Sequence, residues 1–211
     1  MANGRNSTRR GLHWLGAILW LFSLPGVECC AQEQLIPFEE GGLWGYKDFA
    51  GQVVIQPQFH VAEKFSREGL AAVADDQSWA YIDTKGNIVI RPFVFDNGPD
   101  EFSEGLARFI AGSKFGFFNK QGRVVIMPQF DFAARFSQSL AAVCMGCRQH
   151  RMGEHSMTVG GKWGYISNQG HIVIPLQFDA AGDFEKGKAH VSLNGKRMLI
   201  DRKGHVTGDS P

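Results

Sequence analysis

A net excess of either charge is missing from this chain, and with it one broad class of partner. Across 211 residues, 22 Lys and Arg stand against 21 Asp and Glu, a formal net charge of +1. Nucleic-acid binding wants a concentrated basic face, and this balance gives no electrostatic case for one. Tyrosine is scarce and long apolar runs are nearly absent. The one run, Leu12 to Leu24, is too short to span a bilayer comfortably. No motif combines a nucleophile with a base and an orienting acid: there is no G-x-S-x-G, no H-E-x-x-H and no glycine-rich phosphate loop. Catalysis is therefore not expected. The chain does have 26 glycines and 17 phenylalanines in a globular composition, 44% hydrophobic and 20% charged, which suits many short strands joined by tight turns.

Residues 1–31 are set apart from the fold. Arg5, Arg9 and Arg10 precede the apolar run, and Pro25 and Gly26 follow it, which is the order of a secretory signal. The expectation is a signal peptide cleaved after Ala31, with Cys29 at the minus-three place, and a periplasmic or secreted protein with no membrane span once the signal is gone. The alternatives are an uncleaved signal anchor or a lipoprotein with lipid on Cys29 or Cys30, which Glu28 disfavours. Cleavage removes those three arginines and Glu28, turning the net charge of +1 into −1.

The rest is a tandem repeat. Each unit opens on an aromatic, Trp44, Trp79, Phe115 or Trp163, and a degenerate last unit has Arg197 there. Seven residues on stands a glycine every time: Gly51, Gly86, Gly122, Gly170 and Gly204. A glycine held at one offset between alternating apolar residues marks a hairpin turn with positive φ. Asp48, Asp83, Asn119, Ser167 and Asp201, four residues after the origin, are short side chains that bond their own turn. Catalysis would not accept that exchange of types, so these carboxylates read as structural, and so do Asp131 and Asp179.

Between the turns run β-branched segments, Val53 to Ile55, Ile88 to Ile90, Val124 to Ile126 and Ile172 to Ile174, each expected to end at Pro57, Pro92, Pro128 or Pro175. An irregular arc follows, with aromatics at Phe59, Phe130 and Phe178 and again at Phe65, Phe102, Phe136 and Phe184. Phe93 and Phe95 flank the matching place in unit two. A third strand, Leu70 to Val73 or Leu106 to Phe109, leads to the next origin. The fold class expected is all-β: tandem repeats of short antiparallel strands in an open, elongated, solenoid-like array, favoured over propeller-like closure. Stacked aromatics supply the core, with Trp79 and Gly86 needed for packing and backbone; the alternative is that some of the rings line a sugar-binding groove.

The phrase K-W-G-Y-I-x-x-x-G-x-x-V-I-x-P-x-F-D resembles the WG repeat family over residues 43 to about 206. Trp44-Gly45 and Trp163-Gly164 match its name directly, while Trp79-Ala80 and Phe115-Gly116 depart by one residue each. The resemblance implies a β-rich binding or scaffolding module without a common activity. The expected organisation is a lead-in at 32–42, units at about 43–77, 78–113, 114–161 and 162–195, a polar degenerate cap at 196–206, and a tail at 207–211.

The period breaks once. Phe115 to Trp163 spans 48 residues where the earlier spacings are 35 and 36, and the surplus is read as a loop inserted at 144–158. Cys144 and Cys147, the only cysteines left after signal removal, lie in it with His150 and His155. The spacing C-x2-C-x2-H-x4-H offers zinc a tetrahedral set, although the gap from cysteines to histidines is short for a finger. A local disulfide is the other reading, in keeping with export, and free thiols are the third. No other cofactor is expected. The functions expected are binding to an unidentified protein or envelope polymer, or a metal-binding or redox-responsive role through Cys144 and Cys147.

Overall fold

The computed structural model describes residues 35–152 and 155–209, so the expected signal segment lies outside the described residues. Every element among those residues is a β-strand, every pairing is antiparallel, and no sheet closes into a barrel. The first sheet holds β1 (Ile36–Glu40), β2 (Leu43–Lys47) and β3 (Val53–Phe59). The second holds β4 (Val61–Ala62), β5 (Ala71–Ala74), β6 (Trp79–Ile82) and β7 (Ile88–Ile90). A small ribbon of β8 (Val94–Phe95) and β9 (Gly98–Pro99) precedes the third sheet, β10 (Leu106–Ala111), β11 (Lys114–Asn119) and β12 (Val124–Phe130). Then come β13 (Phe132–Ala133), β14 (Leu140–Met152), β15 (His155–Ser167) and β16 (Ile172–Phe178). The last sheet is β17 (Ala180–Ala181), β18 (Lys188–Leu193), β19 (Lys196–Asp201) and β20 (Val206–Asp209).

A sheet is not one sequence unit. The third strand of each unit pairs with the first strand of the next, as in Ala74↔Trp79, Ala111↔Lys114 and Leu193↔Lys196. Consecutive units are thereby joined by main-chain hydrogen bonds, and part of the lead-in, β1, takes the third-strand place in the first sheet through Glu39↔Trp44. Successive side chains of a strand point to opposite faces. In segments such as Leu-Ala-Ala-Val both sets are apolar because both faces are covered. Ala141, Val143 and Ile166 pack on the preceding sheet, while Leu140, Ala142 and Tyr165 pack on the following one. The core is thus a series of sheet-on-sheet layers rather than one centre.

The five turn glycines have φ between 74° and 87°. All but Gly51, where a Cβ would meet nothing within 4 Å, carry a second constraint that their offset alone does not show. A Cβ on Gly86 would lie 3.2 Å from Ile55 of the preceding unit, and one on Gly170 would lie 3.2 Å from Ile126. The turn therefore rests on the previous layer. Its short side chain closes it from within: Asp83 Oδ1 accepts from the Lys85 and Asn87 amides, both at 2.9 Å, and Asp201 does the same for Lys203 and His205.

The structure corrects the expectation that proline ends the second strand. β3, β12 and β16 each run through their proline to the next aromatic, and only β7 stops, at Ile90 before Pro92. Between Tyr46↔Ile55 and Trp44↔Phe59 the register shifts, so Pro57 sits in a bulge where no ladder N–H is required. The glycine after the origin aromatic faces that bulge. A Cβ on Gly164 would stand 2.5 Å from the Ile174 carbonyl oxygen and 2.8 Å from the Leu176 nitrogen. Ala80 is accommodated in unit two because β7 ends before the bulge forms.

The origin aromatics are not equivalent either. Phe115 and Trp163 are buried, whereas Trp44 and Trp79 are half-buried, and the Trp79 indole donates to the Asn97 carbonyl at 3.0 Å. Trp79 is thus less of a core residue than its place in the repeat suggests. Trp163→Ala should cost about 3–5 kcal/mol, as large-to-small changes do in a packed core. Trp79→Ala should cost less than half as much. Equilibrium urea unfolding of the two variants decides the order.

Candidate functional site

The positions that recur are consumed by folding, so a site must be sought where units differ. Asp131 and Asp179 illustrate the first half of that statement. Lys162 Nζ lies 2.7 Å from Asp179 Oδ1, and the Asn194 amide donates to its Oδ2 at 2.6 Å. Asp131 is held in the same way by Lys114 and by the Gly146 amide. The lysine hydrogen bond is the main cause that keeps each carboxyl below its ordinary range. Both aspartates brace the hairpin to the next unit, with each carboxylate oxygen accepting a hydrogen bond.

Unit two departs in its arc and its third strand. Arg108 stands where Ala72, Ala142 and His190 stand in the other units, and it is buried together with Asp100. Asp100 accepts from the Arg108 amide and Nε, both at 2.9 Å, from its Nη2 at 2.7 Å, and from Arg135 Nε of the next unit at 3.0 Å. Arg108 Nη1 donates to the Ala133 carbonyl, and the guanidinium lies 4.9 Å from the Phe93 ring centre. Burial pushes the Asp100 carboxyl up, but the hydrogen bonds and charge of Arg108, with Arg135, outweigh it and hold the group below the ordinary carboxylate range. All three guanidinium nitrogens of Arg108 are engaged, so the work of this cluster is to fasten unit two to unit three. An arginine inside the apolar stretch Leu-Ala-Arg-Phe was the available signal in the sequence.

The inserted stretch is not a loop. β14 and β15, 13 residues each, continue the third and fourth units' hairpin outward, pairing from Cys147↔Gly160 to Met152↔His155. Strand propensity prevailed over the turn-like look of Gly146 and Gly160-Gly161, which have positive φ inside the ladder and bend it there. A Cβ on Gly161 would lie 2.5 Å from the Cys147 nitrogen, which explains the residue. Cys144 and Cys147 are buried at the base of this ribbon and joined as a disulfide, with Cα atoms 6.1 Å apart. His150 is three residues beyond Cys147 on the same strand, hence on the opposite face, and it is exposed. The His155 side chain lies outside the described residues. Among the described residues no group of three or more His, Cys, Asp or Glu is placed to hold a metal ion.

Among the described residues no further strand pairs with the ribbon outward of its base. β13 reaches β14 only at Val143 and Cys144, and β16 meets β15 only from Trp163 inward. One face carries Arg148, His150, Met157 and Val159, with Met157 53% and Val159 39% exposed; the other carries Gln149 bonded to Thr158 at 2.8 Å. Both outer edges therefore present free main-chain N–H and C=O groups. Among the described residues no helix is long and apolar enough to cross a membrane.

None of the curated proteins compared matches the chain. The family model described as WG containing repeat matches residues 44–78, 79–114, 115–146 and 163–196. The matched spans begin at the origin aromatics and stop short of the ribbon beyond Gly146, so the repeated hairpins are family features and the ribbon lies outside the matched spans. Four matched repeats over more than half of the residues, folded as stacked antiparallel hairpins, place the chain in the WG-containing-repeat family.

Proposed function

We propose that this protein is a non-catalytic, exported binding module. The stacked sheets are its mount, and the ribbon at 147–160 is its contact element. The observation that carries the reading is the pair of unpaired strand edges on the ribbon. An edge of that kind is completed by an extended peptide adding as a further strand, with side-chain pockets and charge supplying selectivity. Arg148 and Arg151 stand against the single Glu154 in this stretch, and Met157 and Val159 share a face with Arg148. The partner is therefore an extended protein segment that is acidic with interspersed apolar residues. A two-stranded ribbon is marginal alone; the Cys144–Cys147 bridge and buried Trp163 at its base hold it out.

Peptides selected from a displayed random library on the intact protein should be acidic and extended. Their binding, followed by fluorescence anisotropy, should weaken at least tenfold when residues 147–160 are replaced by a two-residue turn. Unchanged affinity in that variant, or selection of basic peptides, overturns the reading. Binding of purified envelope polysaccharide that depends on the ribbon would assign the contact element to a polymer instead.

A further inference from the structure

Tyr46, Tyr81 and Tyr165 occupy one place in three units, two residues after the origin aromatic. Tyr46 donates its hydroxyl to the Glu63 carbonyl and Tyr165 to the Gly182 carbonyl, both at 2.8 Å, and both side chains are fully buried. Tyr81 is different. Its arc is rebuilt as the β8–β9 ribbon, its side chain is half-buried, and among the described residues nothing accepts from its hydroxyl. Tyr81 instead lines a cleft of about 260 Å³ with Glu63, Lys64, Glu68, Phe102 and Lys120.

The walls of this cleft are fixed. Tyr81 and Phe102 stand 5.7 Å apart with ring planes at 59°, and buried Phe118 lies behind, 5.7 Å from Tyr81 and 5.3 Å from Phe102. The rim is mixed: two carboxylates and two ammonium groups, with no formal net charge. Burial, then the neighbouring Glu63 charge, pushes the Tyr81 phenol up to about 12, so it is a neutral O–H donor at physiological pH.

We infer that this cleft binds a neutral pyranose unit of a glycan. A pyranose offers an aliphatic C–H face that packs on an aromatic ring. Its equatorial hydroxyls both donate and accept, which matches carboxylates, ammonium groups and a phenol set around two rings. A cleft this small suits one sugar ring rather than a larger ligand. A cationic ligand would want net negative charge, and an anionic one net positive; the rim supplies neither. The corresponding places along the stack lack the combination. Between units two and three Arg108 and Arg135 are engaged with buried Asp100. In the last sheet a cleft lined by Asp183, Glu185 and Lys188 has Leu199 where Tyr81 would be. This site is separate from the ribbon, so either can fail alone.

The test is saturation-transfer NMR and titration of the intact protein with methyl α- and β-glycosides of glucose, galactose, mannose and N-acetylglucosamine. At least one should show transfer from aromatic protons to the sugar ring. Its affinity should fall at least tenfold in Tyr81→Leu, a residue the fold accepts at position 199, and several-fold in Glu68→Gln, whose exposed side chain is not part of the core. Glu185→Gln, in the other cleft, should leave binding unchanged. Circular dichroism establishes that each variant is folded. No transfer to any of these glycosides, equal affinity in Tyr81→Leu and wild type, or binding of tetramethylammonium in their place overturns the inference.

Discussion

Gly164→Ala should lower stability by about 3 kcal/mol or more, the upper part of what overpacking a core costs, because the added methyl has nowhere to go. The atoms it meets, the Ile174 carbonyl oxygen at 2.5 Å and the Leu176 nitrogen at 2.8 Å, belong to strand β16 itself. A side chain could rotate away; a strand can yield only by undoing the bulge and its pairing with β15. For a protein of this size the loss corresponds to a fall in melting temperature of roughly 6 to 12 °C. The reverse change in unit two, Ala80→Gly, should shift stability by only about 1 kcal/mol or less, the conformational cost of a glycine. Similar losses in both variants would mean that the bulge is not what selects glycine.

Asp100→Asn should cost about 3–5 kcal/mol, because it leaves Arg108 buried without its counter-charge, whereas Arg135 keeps Glu101. The charge, rather than the shape, is removed. In an Arg108→Ala background the same change should cost much less, since Ala72 and Ala142 already fill that place in other units. The pH dependence has a definite sign. Asp100 has a folded-state pKa below its unfolded value of about 3.9, so its stabilisation is complete above about pH 4 and is lost as the pH falls through the folded-state value. Asp75, held down first by its hydrogen bond from Arg91, contributes with the same sign. Acid unfolding of Asp100→Asn should accordingly show a shallower loss of stability below pH 4 than wild type, as read by fluorescence across a pH series.

The turns were legible in the sequence because their cause is local. Gly51, Gly86, Gly122, Gly170 and Gly204 each satisfy a backbone angle that neighbouring residues specify, and Asp83 and Asp201 bond amides two and four residues away. What escaped depends on the backbone of a different strand. The glycine of Trp163-Gly164 and the proline at Pro175 are two sides of one bulge, yet they are joined only through pairing of β15 with β16. For the same reason Ala80 looked like a conservative exchange, when it marks the unit whose second strand stops early. The partner of Arg108 was not legible, because Asp100 lies in an arc one residue longer than that of unit one and two longer than those of units three and four. The inserted ribbon was read as a loop since Gly146, Gly153 and clustered charge obscure the alternation of a strand. Its register follows from the hairpin already formed at Leu140 to Cys144, which extends outward one rung at a time.

If repeated positions pack and the ribbon binds, hydrogen–deuterium exchange on the intact protein with and without a selected acidic peptide separates the two most directly. The expected result is new protection confined to amides of residues 147–160, with exchange in β3, β7, β12 and β16 unchanged. Protection spread along those second strands, with the ribbon exchanging as before, would contradict it.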